Sequence, residues 1–170
     1  MAAWGKEINS DSDRTAAIMA FNFLDHAIRG AIIYKLKIIG TRDEKTLHRL
    51  FEEYGVLYST DSKIIMGRAL DLYGPVTHAN LDIIKSIRNT FAHSAHGLSF
   101  RTPAIASQAK KLIRMPKRLR RPIDMPYRTP RQMYIHAVMD ICQIIWIAGL
   151  IDLRKQFQES GGDEGWQPLP

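Results

Sequence analysis

Apolar residues in this chain recur at three- and four-residue steps, and no convincing run alternates apolar with polar. Ile18, Phe21, Leu24, Ile28, Ile32 and Leu36 set the pattern near the start. That period matches the 3.6-residue turn of an α-helix, so each such segment must bury one stripe against another helix. The expected fold class is therefore all-α. With 170 residues and 45% hydrophobic side chains, the chain suits one domain, a bundle of five to six helices.

Helix ends are marked by caps and breakers. Asp11, Ser12 or Asp13 can cap the first helix, and Gly40-Thr41 end it. A short helix is expected near Glu44 to Glu53, before Tyr54-Gly55. Ser59, Thr60 and Asp61 offer caps for a helix from about Ser62 to Tyr73, which Gly74-Pro75 stop. Thr77 is the expected cap of the next, which carries Leu81, Ile84, Ile87 and Phe91 and fades near His93 to Gly97. Another is expected from Pro103 to about Arg114, with proline in its first turn. The last begins near Thr129 or Pro130 and carries Ile135, Val138, Met139, Cys142, Ile145, Trp146 and Leu150, so it is expected to be central. Residues 1–12 and 158–170 lack periodicity and read as tails around a domain at 13–157.

The excess of positive charge is confined to one stretch. The formal net charge is +7, yet residues 97–131 hold ten basic and one acidic side chain. The rest is close to neutral, with an excess of acid after residue 131. Within this stretch, 115–131 contain Pro116, Pro122, Pro126 and Pro130, which forbid a continuous helix and favour extended backbone. An extended basic segment suits contact with a phosphate backbone of RNA or DNA, through Lys117, Arg118, Arg120, Arg121, Arg128 and Arg131. Tyr127 can stack on a base. A solvated loop between helices accounts for the same composition. No base-reading helix accompanies it, so sequence-specific binding does not follow.

Several classes fall away. A single cysteine, Cys142, excludes an internal disulfide and a cysteine-based zinc cluster, and this usage suits a reducing cytoplasm. Met1 to Asp13 hold no apolar core of a secretory signal. The longest nearly apolar stretch, Ile141 to Ile151, falls short of the roughly 20 residues that span a bilayer, so no membrane partner is expected. No glycine-rich phosphate loop or nucleophile elbow is present, and no cofactor or metal is expected. His93, His96 and Asp82 match no strong ligand spacing.

One motif carries chemistry: Ile87-Arg88-Asn89-Thr90-Phe91-Ala92-His93. Metal-free RNA cleavage can use a histidine to move protons near neutral pH and an arginine to offset charge on the phosphoryl group. Asn89 can orient either. Against this, five residues on a regular helix turn about 140° past a full circle. Arg88 and His93 then share a face only if the helix ends or distorts, or a second subunit completes the site. The plainer reading has Arg88 and Asn89 binding loop carbonyls and His93 meeting the last carbonyls of its helix.

The chain resembles the mannitol-repressor-like family. The likeness rests on Leu50-Phe51 to Gly55-Val56-Leu57, on Ser62-Lys63-Ile64, on Ala69-Leu70, and on Leu81 to His93. In that family these places hold a Gly-Pro-Leu turn, a Ser-Ala-Lys-Ile helix start, an Ala-Leu-Gly-Leu helix and an Ile-Arg-Asn-x-Phe-Ala-His signature. Asp13-Arg14, Leu24-Asp25, Pro130-Arg131 and Tyr134-Ile135-x-Ala137-Val138 follow the same order, so the resemblance covers roughly 13 to 150. Val56 stands where the family has proline and Asp71 where it has glycine, and Tyr73-Gly74-Pro75 also departs.

The resemblance implies an all-helical regulator of sugar-alcohol uptake genes that acts without a DNA-reading head, through a protein partner. The Arg88–His93 motif is also similar to that of HEPN domains, helical bundles that include dimeric ribonucleases and many non-catalytic binding modules. The expectation is thus a HEPN-like, non-enzymatic regulator in the cytoplasm. The alternative is a metal-independent ribonuclease using Arg88, Asn89 and His93. The near-apolar last helix permits a homodimer, and Asp25 offers an acidic partner for Arg88 if the helices pack that way.

Overall fold

The computed structural model describes residues 12–36, 44–94, 97–113 and 128–159, with side chains through Gly149. Among the described residues there are six helices and no strand: α1 (Asp13–Lys35), α2 (Glu44–Phe51), α3 (Thr60–Ala69), α4 (Pro75–His93), α5 (Pro103–Ala109) and α6 (Pro130–Glu159). The all-α bundle read from the apolar period is the observed architecture.

The centre of the bundle is α1, which packs on α3, α4 and α6. Its inward face is Ala16, Ala17, Ala20, Phe21, Leu24, Ile28, Ala31 and Ile32, all buried. The alanines let neighbouring helices approach closely, and the larger residues fill the seams between them. Opposite them lie Leu81, Ile84, Ile87 and Phe91 of α4 and Tyr134, Val138, Ile141 and Ile145 of α6, each at most 1% exposed. By length and composition α1 could also cross a membrane, which the sequence reading missed. In this fold its stripe belongs to the shared core.

Caps follow the local sequence. The Ser12 hydroxyl accepts the Thr15 N–H at 3.3 Å, and Ser59 accepts the Ser62 N–H at 3.0 Å. α6 starts with a capping box: Thr129 Oγ1 accepts the Gln132 N–H at 3.2 Å while Gln132 Oε1 accepts the Thr129 N–H at 3.1 Å. Thr77 is not a cap. α4 begins two residues earlier at Pro75, whose fixed φ suits a first helical position, and Thr77 is buried. α3 starts and stops a few residues before the expected bounds. α5 ends at Ala109 rather than Arg114, and the buried Asn80 side chain takes over the backbone beyond it. Its Nδ2 donates to the Ile113 carbonyl at 2.8 Å and its Oδ1 accepts the Ile113 N–H at 2.9 Å.

Two turns show why particular residues stand where they do. Asp71 adopts φ 54°, a left-handed conformation that glycine enters most easily and aspartate tolerates. At Gly55 a Cβ would lie 2.5 Å from the Leu50 carbonyl oxygen, so no side chain fits. The tails at 1–11 and 160–170 and the greater part of the proline-rich basic segment, 114–127, lie outside the described residues.

Candidate functional site

The motif helix α4 is regular through His93, so Arg88 and His93 point in different directions. Arg88 turns inward. Its guanidinium carbon lies 5.1 Å from the centre of the Phe21 ring, a cation–π contact between α4 and α1. Its NH1 donates to Asn89 Oδ1 at 3.0 Å, and its Nε is buried with no acceptor among the described residues. Tyr134 of α6 is also close enough to feel this charge. Burial pushes the Tyr134 hydroxyl well above the usual tyrosine range, and Arg88 pulls partly against it. Tyr134 in turn donates to the Ala17 carbonyl at 3.0 Å. Arg88 thus sits where α1, α4 and α6 meet.

His93 is exposed at the opposite end of the motif. The carbonyls around it are held from another helix: Arg14 Nε donates to Phe91 O at 2.7 Å, and Arg14 NH2 donates to Ser94 O. No spacing signal could have found Arg14, because 77 residues separate it from Phe91. Asp25 is not the partner of Arg88. Its carboxylate accepts from Thr60 Oγ1 at 2.7 Å and from Lys63 Nζ at 2.6 Å, and Lys63 is only 5% exposed. The lysine of Ser62-Lys63-Ile64 in α3 therefore forms a largely buried ion pair with α1.

The same end of the bundle gathers cations. Phe91, Phe100 and Tyr134 pack in series as tilted rings, with 4.9 and 5.3 Å between ring centres. This draws the turn at Leu98–Arg101 and the start of α6 against the end of α4. Asp13 ties both down: Oδ2 accepts the Phe100 N–H at 2.8 Å and Oδ1 accepts from Arg131 NH1 at 2.9 Å. Arg131 is therefore an anchored residue of α6, while Arg128 just before it is exposed. Lys117, Arg118, Arg120, Arg121 and Tyr127, the rest of the basic segment singled out from sequence, lie outside the described residues. Between Ser12-Asp13, Leu98–Arg101 and Thr129–Arg131 opens a cavity of about 640 Å³.

A second concavity of about 270 Å³ lies between α1 and α6, lined by His26, Ala27, Gly30, Ala31, Tyr34, Ile145, Trp146 and Gly149. Trp146 is 63% exposed beside it, not core as its place on the last helix allowed, and Ile147 is partly exposed too. His26 Nδ1 hydrogen-bonds the Asn22 carbonyl at 2.8 Å. Among the described residues no three His, Cys, Asp or Glu side chains gather as metal ligands; Asp82 lies near His78 and Lys85 instead.

Comparison with protein-family models, with curated proteins and with solved structures finds no match to this chain.

Proposed function

We propose that the chain is a mannitol-repressor-like transcriptional regulator, a non-enzymatic helical module that works by holding a protein partner in the cytoplasm. The observation that carries this reading is Trp146, a tryptophan 63% exposed at the edge of an apolar groove between α1 and α6. Exposed tryptophans beside apolar clefts are the usual anchors of protein–protein contact. The occupant is a partner segment that presents apolar side chains, as an amphipathic helix does. The inward packing of Arg88 supports a structural role for the signature, since its guanidinium is engaged by Phe21 and Asn89. The left-handed φ at Asp71 supports the family likeness, because it falls at the position where that family carries glycine.

A ribonuclease reading has one observation in its favour: His93 is exposed at the bundle end that also presents Arg101 and Arg128. Two measurements separate the readings. In the host, Trp146→Glu should reproduce the expression changes of a deletion while His93→Ala remains like wild type. Purified protein incubated with RNA without metal should leave it intact. Cleavage that disappears in His93→Ala would replace the regulator reading with the ribonuclease.

A further inference from the structure

We propose that the cavity at the Arg101–Arg131 end of the bundle is a binding site for a small phosphate monoester. This is independent of the partner groove, which lies between α1 and α6 further along the bundle.

The case begins with charge. Among the described residues the cavity lining carries two arginines, Arg101 and Arg131, and one carboxylate, Asp13. Asp13 is held by the Phe100 N–H and by Arg131, so it serves to fix the Arg131 guanidinium. Arginine presents planar forked donors that match phosphate oxygens, and a fork already held by a carboxylate loses less freedom on binding. The two arginines outnumber the one carboxylate in that lining, which favours an anion.

Shape and lining agree with a small ligand. About 640 Å³ lies within the range of small-molecule sites, roughly 300–1,000 Å³. Arg101 and Arg131 flank it, Ser12, Ser99 and Thr129 supply hydroxyls, and Leu98 and Pro130 supply apolar surface. The phosphate would sit between the two arginines, and the organic portion would lie on the apolar side. The tilted Phe91, Phe100 and Tyr134 rings and the Thr129–Gln132 capping box hold both walls in place. The positive ends of α1 and α6 add to the field there.

The site also joins three elements that are distant in sequence: the start of α1, the turn after α4 and the start of α6. A ligand bridging Arg101 and Arg131 would tighten the connection among them and raise the stability of the folded chain by mass action.

The test uses the full chain with AMP and glucose 6-phosphate as probes, beside adenosine, glucose, inorganic phosphate and sodium chloride at matched ionic strength. Calorimetric titration and thermal unfolding should show saturable binding and a higher Tm with the two monoesters, and neither with adenosine, glucose or the chloride. Arg101→Glu, at an exposed position, should weaken the monoesters at least tenfold while keeping the wild-type circular dichroism and unliganded Tm. Ser99→Ala offers a milder second variant. Absence of saturable binding by either monoester overturns the proposal. So does equal binding by Arg101→Glu, an equal effect of chloride, or binding of a single-stranded oligonucleotide without binding of the monoesters.

Discussion

Arg14 Nε donates to the Phe91 carbonyl at 2.7 Å and so ties the first turn of α1 to the last turn of α4. The last carbonyls of a helix have no partners within it, and a cation placed there satisfies them and opposes the negative end of the dipole. Arg14→Gln should lower stability by about 1 kcal/mol, since hydrogen bonds from charged groups are worth a little more than neutral ones but this one is partly exposed. Amide exchange should speed up in α4 near His93 while Ile84 and Ile87 stay protected. Unchanged exchange there would remove Arg14 as the clamp.

The Lys63–Asp25 pair is nearly dry, with side-chain exposures of 7% and 20%. Breaking a buried pair leaves one charge without compensation, so Asp25→Asn should destabilise by about 3 kcal/mol. The double replacement Asp25→Leu with Lys63→Met should recover most of that loss, because it removes both desolvation costs. Urea unfolding of the four proteins gives the coupling directly. A double variant no more stable than Asp25→Asn would contradict this account.

The two turns before and after α3 should respond in opposite ways to small changes. Gly55→Ala forces a Cβ to within 2.5 Å of the Leu50 carbonyl and should cost about 1–3 kcal/mol. Asp71→Gly relieves a left-handed residue and should be neutral or stabilising by up to about 1 kcal/mol, despite losing the exposed contact to Arg68 at 3.1 Å. Asp71→Val should destabilise. Tm values of the three variants check the ordering.

Stability should fall as pH rises above about 9. Burial pushes the Cys142 thiol up to about 12 from an ordinary 9.0, and pushes the Tyr73 and Tyr134 hydroxyls higher still. The hydrogen bond to Asp61 raises Lys85, the same direction. Each group binds its proton more tightly in the fold than in the unfolded chain. Its contribution is therefore complete below the unfolded value and lost as pH climbs through the folded one. Melting between pH 8 and 11 should show the decline. At pH 8 a thiol reagent should modify Cys142 only as fast as the chain opens. Immediate modification would place the thiol at the surface.

Much of the fold was legible because it is local chemistry. Ser12, Ser59, Pro75, Pro103 and the Thr129–Gln132 pair mark helix starts through bonds between near neighbours, and the stripe from Phe21 to Ile32 fixes which side faces inward. Thr77 misled because a hydroxyl near a helix start reads as a cap whether or not a proline precedes it. For Trp146 the last helix left two readings open, core or a dimer contact, for a related reason. A helix apolar on several sides shows no single buried face, and the packing of α1 against Ile145 leaves the indole at the surface.

The sequence by itself determined an all-α chain, the near positions of its helices, and the confinement of its excess positive charge to residues 97–131. These follow from period, caps and composition, which act within a few residues. Only the tertiary structure decided that Arg88 lies over Phe21 while His93 faces outward, that Asp25 pairs with Lys63, and that Arg101 and Arg131 border one cavity. Those relations join residues from 30 to 67 positions apart, and only the packing of helix on helix sets distances of that kind.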